Sequence, residues 1–254
     1  MIVYKLTDQK LQTYGGCQWE PGVPRETSGE GNLCGPGWLH YYHDPLLAVL
    51  LHPLHGNFFN PILWEAEAEG LHRDDRGLKG GSTKLTLLRQ IDLPQFTTEQ
   101  RVRFGILCAK AVYADPAWNA WADGWLSGKD RSSAEAAKAE AMAAWTTVEA
   151  WEADSWIASM WAAARAAERA ARAARDGAVK WAWTEVAEAA ERATAAVEAE
   201  AKEKAAKAAA RGDEVAEGWA AAAAGARAAW AAAAGTPLDL IAIAREALKG
   251  DSDA

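Results

Sequence analysis

Two stretches in the first third of this chain carry residue types that do chemistry. Trp38-Leu39-His40-Tyr41-Tyr42 sets one imidazole and two phenols in a β-prone run that ends at Asp44-Pro45. Further on, Leu63-Trp64-Glu65-Ala66-Glu67-Ala68-Glu69 alternates apolar and acidic residues. A strand there turns Trp64, Ala66 and Ala68 to one side and three carboxylates to the other, as a solvated strand face would also require. His40/His43 and His52/His55 are His-x-x-His pairs, and on a helix residues three apart can share a metal, with Cys17 or Cys34 completing a tetrahedral set. Pro53 splits the second pair, Asp44-Pro45 opens a helix directly after the first, and no Cys-x-x-Cys accompanies either, so no metal site is assigned. Gly77-Leu78-Lys79-Gly80-Gly81 lacks the Walker spacing and precedes a strand, which makes it a hairpin connection and not a phosphate loop. No Ser-His-Asp or activated-cysteine arrangement is legible. The catalytic residues are left unassigned and no cofactor is assigned.

The elements that must hold these residues read as a small α+β domain over residues 1–113. Ile2-Val3-Tyr4 opens as a strand, and Tyr14–Pro36 is rich in glycine and proline and reads mostly as loop, with a short strand at Cys17-Gln18-Trp19. Asp44 supplies an N-cap acceptor and Pro45 a first-turn proline, predicting a helix over Leu46–Leu51 that stops before Pro53. Thr83–Ile91 is a second strand after the Gly80-Gly81 turn. Thr97-Thr98-Glu99-Gln100 has the form of a capping box, opening a helix that runs to Tyr113.

These pieces, in this order, resemble a domain of unknown function common in tailed-phage genomes. The resemblance rests on Tyr4-Lys5, Trp19-Glu20-Pro21-Gly22, Gly37-Trp38-Leu39-His40, Asp44-Pro45-Leu46 and Glu65-Ala66-Glu67-Ala68-Glu69-Gly70, and spans about the first 113 residues. The chain departs from the pattern by placing Leu39 before the histidine and by its cysteine arrangement. A phage or prophage origin is what the resemblance implies. The order aromatic-His-Tyr-Tyr, capped helix, Glu-x-Glu strand is also similar to the ADP-ribosyltransferase-like fold, in which such residues surround NAD. That similarity would give His40 or Tyr42 a stacking role on the nicotinamide and Glu67 or Glu69 the acidic role at the ribose. The first-strand position of that pattern is here Lys5, not Arg or His. His40, Tyr42, Glu67 and Glu69 are therefore the candidate ligand-binding residues.

Residues 114–254 are built differently. Eleven of the fourteen tryptophans and no proline between Ala117 and Thr236 accompany a background dominated by alanine. Asp115-Pro116 caps a helix with Trp118, Trp121 and Trp125 on one face, and Gly128 ends it. From Ser132 to Ala210 helix formers run on with Gly177 as the single internal glycine. Breaks at Gly177 and Gly212 suggest arms of roughly 44, 34 and 22 residues, the first reaching about 66 Å. With Trp145 as reference, Trp156 falls about 20° away but Trp151 about 240° and Trp161 about 160°. Rings spread so widely need cover on several sides. Trp145, Trp151, Trp156, Trp161, Trp181, Trp183, Trp219 and Trp230 are accordingly read as assembly residues of a helical bundle or stalk, and the fold class as α-dominated overall.

Charge narrows the partners. The net charge is −8, split as −1 over residues 1–113 and −7 beyond, so there is no basic surplus for nucleic acid. Three widely spaced cysteines suit a reducing cytoplasm better than a disulfide framework. No leader-like or bilayer-spanning run is seen. The expectation is a cytoplasmic, homo-oligomeric, non-enzymatic interaction protein of phage type, whose N-terminal domain binds a host protein or small nucleotide-like ligand, possible counter-defence being one role for it. An ADP-ribosyltransferase-like enzyme on an oligomerising stalk and a virion structural component are the alternatives.

Overall fold

Hydrogen bonding along three alternating segments near the N-terminus builds a sheet larger than the sequence suggests. In a computed structural model, which describes residues 1–56, 58–75, 77–151, 158–176 and 239–249, β1 (Ile2–Thr7) runs antiparallel to β6 (Ile62–Asp74), and β6 to β7 (Gly80–Ile91). The far edge of β7 takes β4 (Arg25–Glu26) and β5 (Leu39–Tyr41). Between β1 and β4 in the chain, β2 (Gln12–Thr13) and β3 (Cys17–Gln18) form a separate two-stranded ladder. Just past β5, Tyr42 exchanges both backbone hydrogen bonds with Tyr4 of β1, at 2.8 and 2.7 Å. The sheet thus closes on itself as β1-β6-β7-β5, a small barrel joined by one rung.

Period-two alternation decides what lies inside. Val3, Leu39, Tyr41, Trp64, Ala66, Ala68, Leu85 and Leu87 collect in one buried cluster, and Trp19 joins them from the loop after β3. Their polar atoms are accounted for: Trp64 Nε1 donates to Thr7 Oγ1 at 3.1 Å and Trp19 Nε1 to Thr13 Oγ1 at 3.0 Å. The opposite face of β1 is covered by helix α1 (Pro45–His55). Asp44 caps it, its carboxylate accepting from the Leu46 N–H at 2.8 Å. The helix passes through Pro53, where a stop is expected, because a helix held on its flanks by tertiary contacts tolerates one missing donor.

The capping box is present: Gln100 N–H donates to Thr97 Oγ1 and Thr97 N–H to Gln100 Oε1, opening α2 (Thr98–Lys110). Next comes α3 (Pro116–Leu126), capped by Asp115, with Trp118 and Trp125 buried. Gly128, at φ +75°, turns the chain out of it. The predicted 44-residue arm is corrected. α4 (Ser133–Trp151) and α5 (Ala158–Asp176) lie side by side, and Glu140 of α4 binds both Arg172 and Arg175 of α5. On one straight helix residues 140 and 172 would be about 48 Å apart, so the chain doubles back. Ala136, Ala139 and Ala143 on α4 and Ala166, Ala170 and Ala173 on α5 are buried, the small side chains that let two helix backbones approach closely.

α6 (Leu240–Leu248) ends the described chain, N-capped by Asp239. Contacts divide the protein into Met1–Phe104 with Asp239–Ala254, and Gly105–Leu238. The last helix therefore groups with the N-terminal unit and packs on α1.

The α-dominated fold class is also corrected. The described residues form six α-helices and a five-stranded antiparallel sheet, a mixed architecture. β6 and β7 are thirteen and twelve residues long, and their ends beside the connection, Gly70–Asp74 and Gly80–Ser82, where glycines and charged residues interrupt the alternation, are invisible to a periodicity argument. Of the tryptophans read as assembly residues, Trp145 and Trp151 fall on α4 and Trp161 on α5, while Trp156, Trp181, Trp183, Trp219 and Trp230 lie outside the described residues.

Candidate functional site

The register of the barrel sets where each candidate residue stands. His40 sits mid-β5 opposite Gly81, which in turn pairs with Arg73 of β6. Its Nε2 is engaged by the Leu33 carbonyl, and burial holds the imidazole below its ordinary pKa. Tyr42 is buried against α1, with its hydroxyl 3.1 Å from His55 Nδ1 and its ring stacked on that imidazole at 5.9 Å. Burial pushes the Tyr42 phenol well above its ordinary pKa. Glu67 and Glu69 are exposed on the face opposite Trp64, Ala66 and Ala68. Glu69 pairs with Lys84 at 3.0 Å, and Glu65 receives a bidentate contact from Arg89 at 2.7 and 3.1 Å. Glu69 is level with Lys84, three residues along β7 from Gly81 and hence about 10 Å from the level of His40 at 3.4 Å per residue. His40 and Tyr42 are thus tied up internally, and the two glutamates stand elsewhere on the sheet, Glu69 in a cross-strand ion pair.

A different polar cluster forms where β5 leaves the barrel beside the ends of β6 and β7. Tyr41, 1% exposed, places its hydroxyl 3.2 Å from His72 Nδ1. Its ring meets the imidazoles of His43 and His72 edge-on, at centroid distances of 5.3 and 6.4 Å. His43 Nε2 lies 2.7 Å from Asp74 Oδ2, while Asp74 Oδ1 accepts from the Gly77 N–H at 2.8 Å. The His43 hydrogen bond, helped by that N–H, holds Asp74 below the usual carboxylate range. Burial, then the Asp74 charge, pushes the Tyr41 phenol up to about 12. It stays protonated and can donate.

Two features of the backbone make this cluster. The β6–β7 register shifts between Glu69 and His72, after Gly70 at φ +79°, which turns His72 and Asp74 toward the same side as Tyr41. Gly80, opposite both Tyr41 and Asp74, leaves room for the phenol ring; a methyl group there would collide with it. None of these four residues is among the candidates that the sequence offers, although His43 is half of a His-x-x-His pair. The spacing Tyr41/His43 and His72/Asp74 is the i, i+2 pattern of one strand face, but only the register brings the two pairs together. Chemically the cluster offers a protonated phenol and two imidazoles, each held at one ring nitrogen, with His43 Nδ1 and His72 Nε2 unengaged among the described residues. Among those residues no set of three His, Cys, Asp or Glu side chains is arranged to hold a metal ion.

Inside the barrel lies one more titratable group. Lys5 follows Val3 and precedes Thr7 on the inner face, is 6% exposed, donates to the His40 carbonyl at 2.6 Å and stands 4.6 Å from the Trp19 ring centre. Burial lowers its pKa to about 8, against a smaller opposing effect of Cys17.

Residues 1–99 match a domain of unknown function, DUF7666. The match covers the whole barrel, α1 and the start of α2, and leaves α3 to α6 outside it. No curated protein and no solved structure matches the chain.

Proposed function

We propose that this chain is a non-enzymatic interaction protein of phage type, whose N-terminal barrel recognises a small nucleotide-like ligand and whose alanine- and tryptophan-rich region self-associates. The arrangement of Tyr41, His43, His72 and Asp74 carries the reading. Two imidazole nitrogens, His43 Nδ1 and His72 Nε2, on rings fixed by Asp74 and by the buried Tyr41 hydroxyl, can hydrogen-bond the edge of a base-like ring with little further ordering. Transferase chemistry at NAD would need a carboxylate beside the stacking residue. Glu69 is instead neutralised by Lys84, and Glu67 faces solvent. That favours binding over group transfer.

Calorimetric titration of the full chain with ADP-ribose, NAD and nucleoside monophosphates tests the site. Saturable binding by at least one of them is expected, weakened about tenfold in His72→Ala through loss of one hydrogen bond to the ligand. Silence toward all of them, with capture of a defined host protein, would transfer the role to a protein partner. Glu67- or Glu69-dependent transfer of label from NAD to lysate proteins would overturn the non-enzymatic reading. Light scattering tests self-association, and a monomer at micromolar concentration would remove it.

A further inference from the structure

We infer that the outward side of α1 is a docking surface for a short amphipathic helix, that α6 is its resident occupant, and that a partner helix of the same chemistry displaces α6. This rests on the α1–α6 contact and not on the ligand reading above.

Leu47, Ala48, Val49, Leu50 and Leu51 of α1 are five consecutive buried residues, and consecutive residues on a helix point all round its circumference. Such a helix needs cover on more than one side. β1 packs on one, and α6 on another. What α6 contributes is small: Leu240, Ala244 and Ala247 are its buried residues, one ridge at i, i+4 and i+7. A nine-residue helix is marginal alone in water, so it forms by docking and not beforehand.

The polar contact is built into the receptor side. Asp44 is 7% exposed, and one carboxylate oxygen caps α1 through the Leu46 N–H whether or not α6 is present. The other oxygen, fixed by that same cap, meets Arg245 of α6 at 3.2 Å. The surface therefore reads an apolar ridge with an arginine directly after its middle residue. α6 lies outside the family match, which ends at residue 99, and the whole unit Gly105–Leu238 separates α6 from it along the chain. A nine-residue occupant tethered at such length, whose fully buried side chains are one leucine and two alanines, is one that a helix in trans can replace.

The test uses the full chain and a fluorescent synthetic peptide with the sequence of residues 237–250. In the wild type α6 competes with the peptide. In Leu240→Asp/Arg245→Glu the surface is vacant, and the peptide should bind about tenfold tighter, since apparent affinity scales with the fraction of competent surface. A peptide carrying Arg245→Glu should lose that gain. Asp44→Asn in the vacated chain keeps the cap but removes the charge, and should weaken the peptide again. Equal binding to both chains, or none to the vacated one, overturns the inference. Should the vacated variant fail to fold, hydrogen exchange of the wild type decides. Excess peptide must speed exchange in α6 while α1 stays protected, and unchanged α6 exchange overturns the inference.

Discussion

Lys5 stands out among single residues because its ammonium is enclosed by the barrel with a carbonyl and an indole face as its immediate partners. Burial takes its pKa from 10.5 in the unfolded chain to about 8 in the fold. Between those values the unfolded state binds more protons, so stability rises with pH across the window and the full penalty applies below about 8. The shift corresponds to a penalty on the order of 3 kcal/mol. Lys5→Met should thus be more stable than the wild type by about 1–2 kcal/mol at neutral pH, after allowing for the lost bond to His40. It should also lose the rise toward pH 10.5. Denaturant melts of both proteins across that range check this, and parallel pH profiles would refute it. Of the candidate site, sequence made the residue types visible but not their grouping. His40 and Tyr41 are neighbours in the chain on opposite faces of β5, so Tyr41 joins His43, His72 and Asp74 while His40 turns to Leu33.

Among the elements, those set by local chemistry were legible. The Asp44-Pro45 and Asp115-Pro116 helix starts, the Thr97–Gln100 box and the alternation through Glu69 all follow from residues within a few positions of one another, whereas Gly80 and Gly81, read as a turn, pair inside β7 with Asp74 and Arg73. Pairings that depend on distant residues were not legible: the β4 and β5 edges on β7, the rung between Tyr4 and Tyr42, and the doubling back of α4 onto α5. Alanine periodicity says helix at every position and nothing about where two helices meet. The α4–α5 contact carries its own prediction. Ala139 and Ala170 are buried, so enlarging either to leucine pushes the backbones apart and should cost about 1–3 kcal/mol, whereas exposed Ala134→Leu should be near neutral. Thermal melts followed by far-UV circular dichroism distinguish them, and equal midpoints for all three would contradict the packing.

For the whole molecule, the chain's last described helix belongs with its first strands. Leu240→Asp should therefore raise hydrogen exchange in α1 while leaving α4 and α5 unchanged, and a uniform rise across both units would argue against the division. No helix among the described residues is long and apolar enough to cross a membrane. The single rung between Tyr4 and Tyr42 has a consequence for permeability. Lys5 lies next to Tyr4, and its amine reaches across that rung to the backbone of His40. An acylating reagent in solution gains the amine when those strands part, so the speed at which Lys5 becomes labelled is a clock for how often the cylinder breathes.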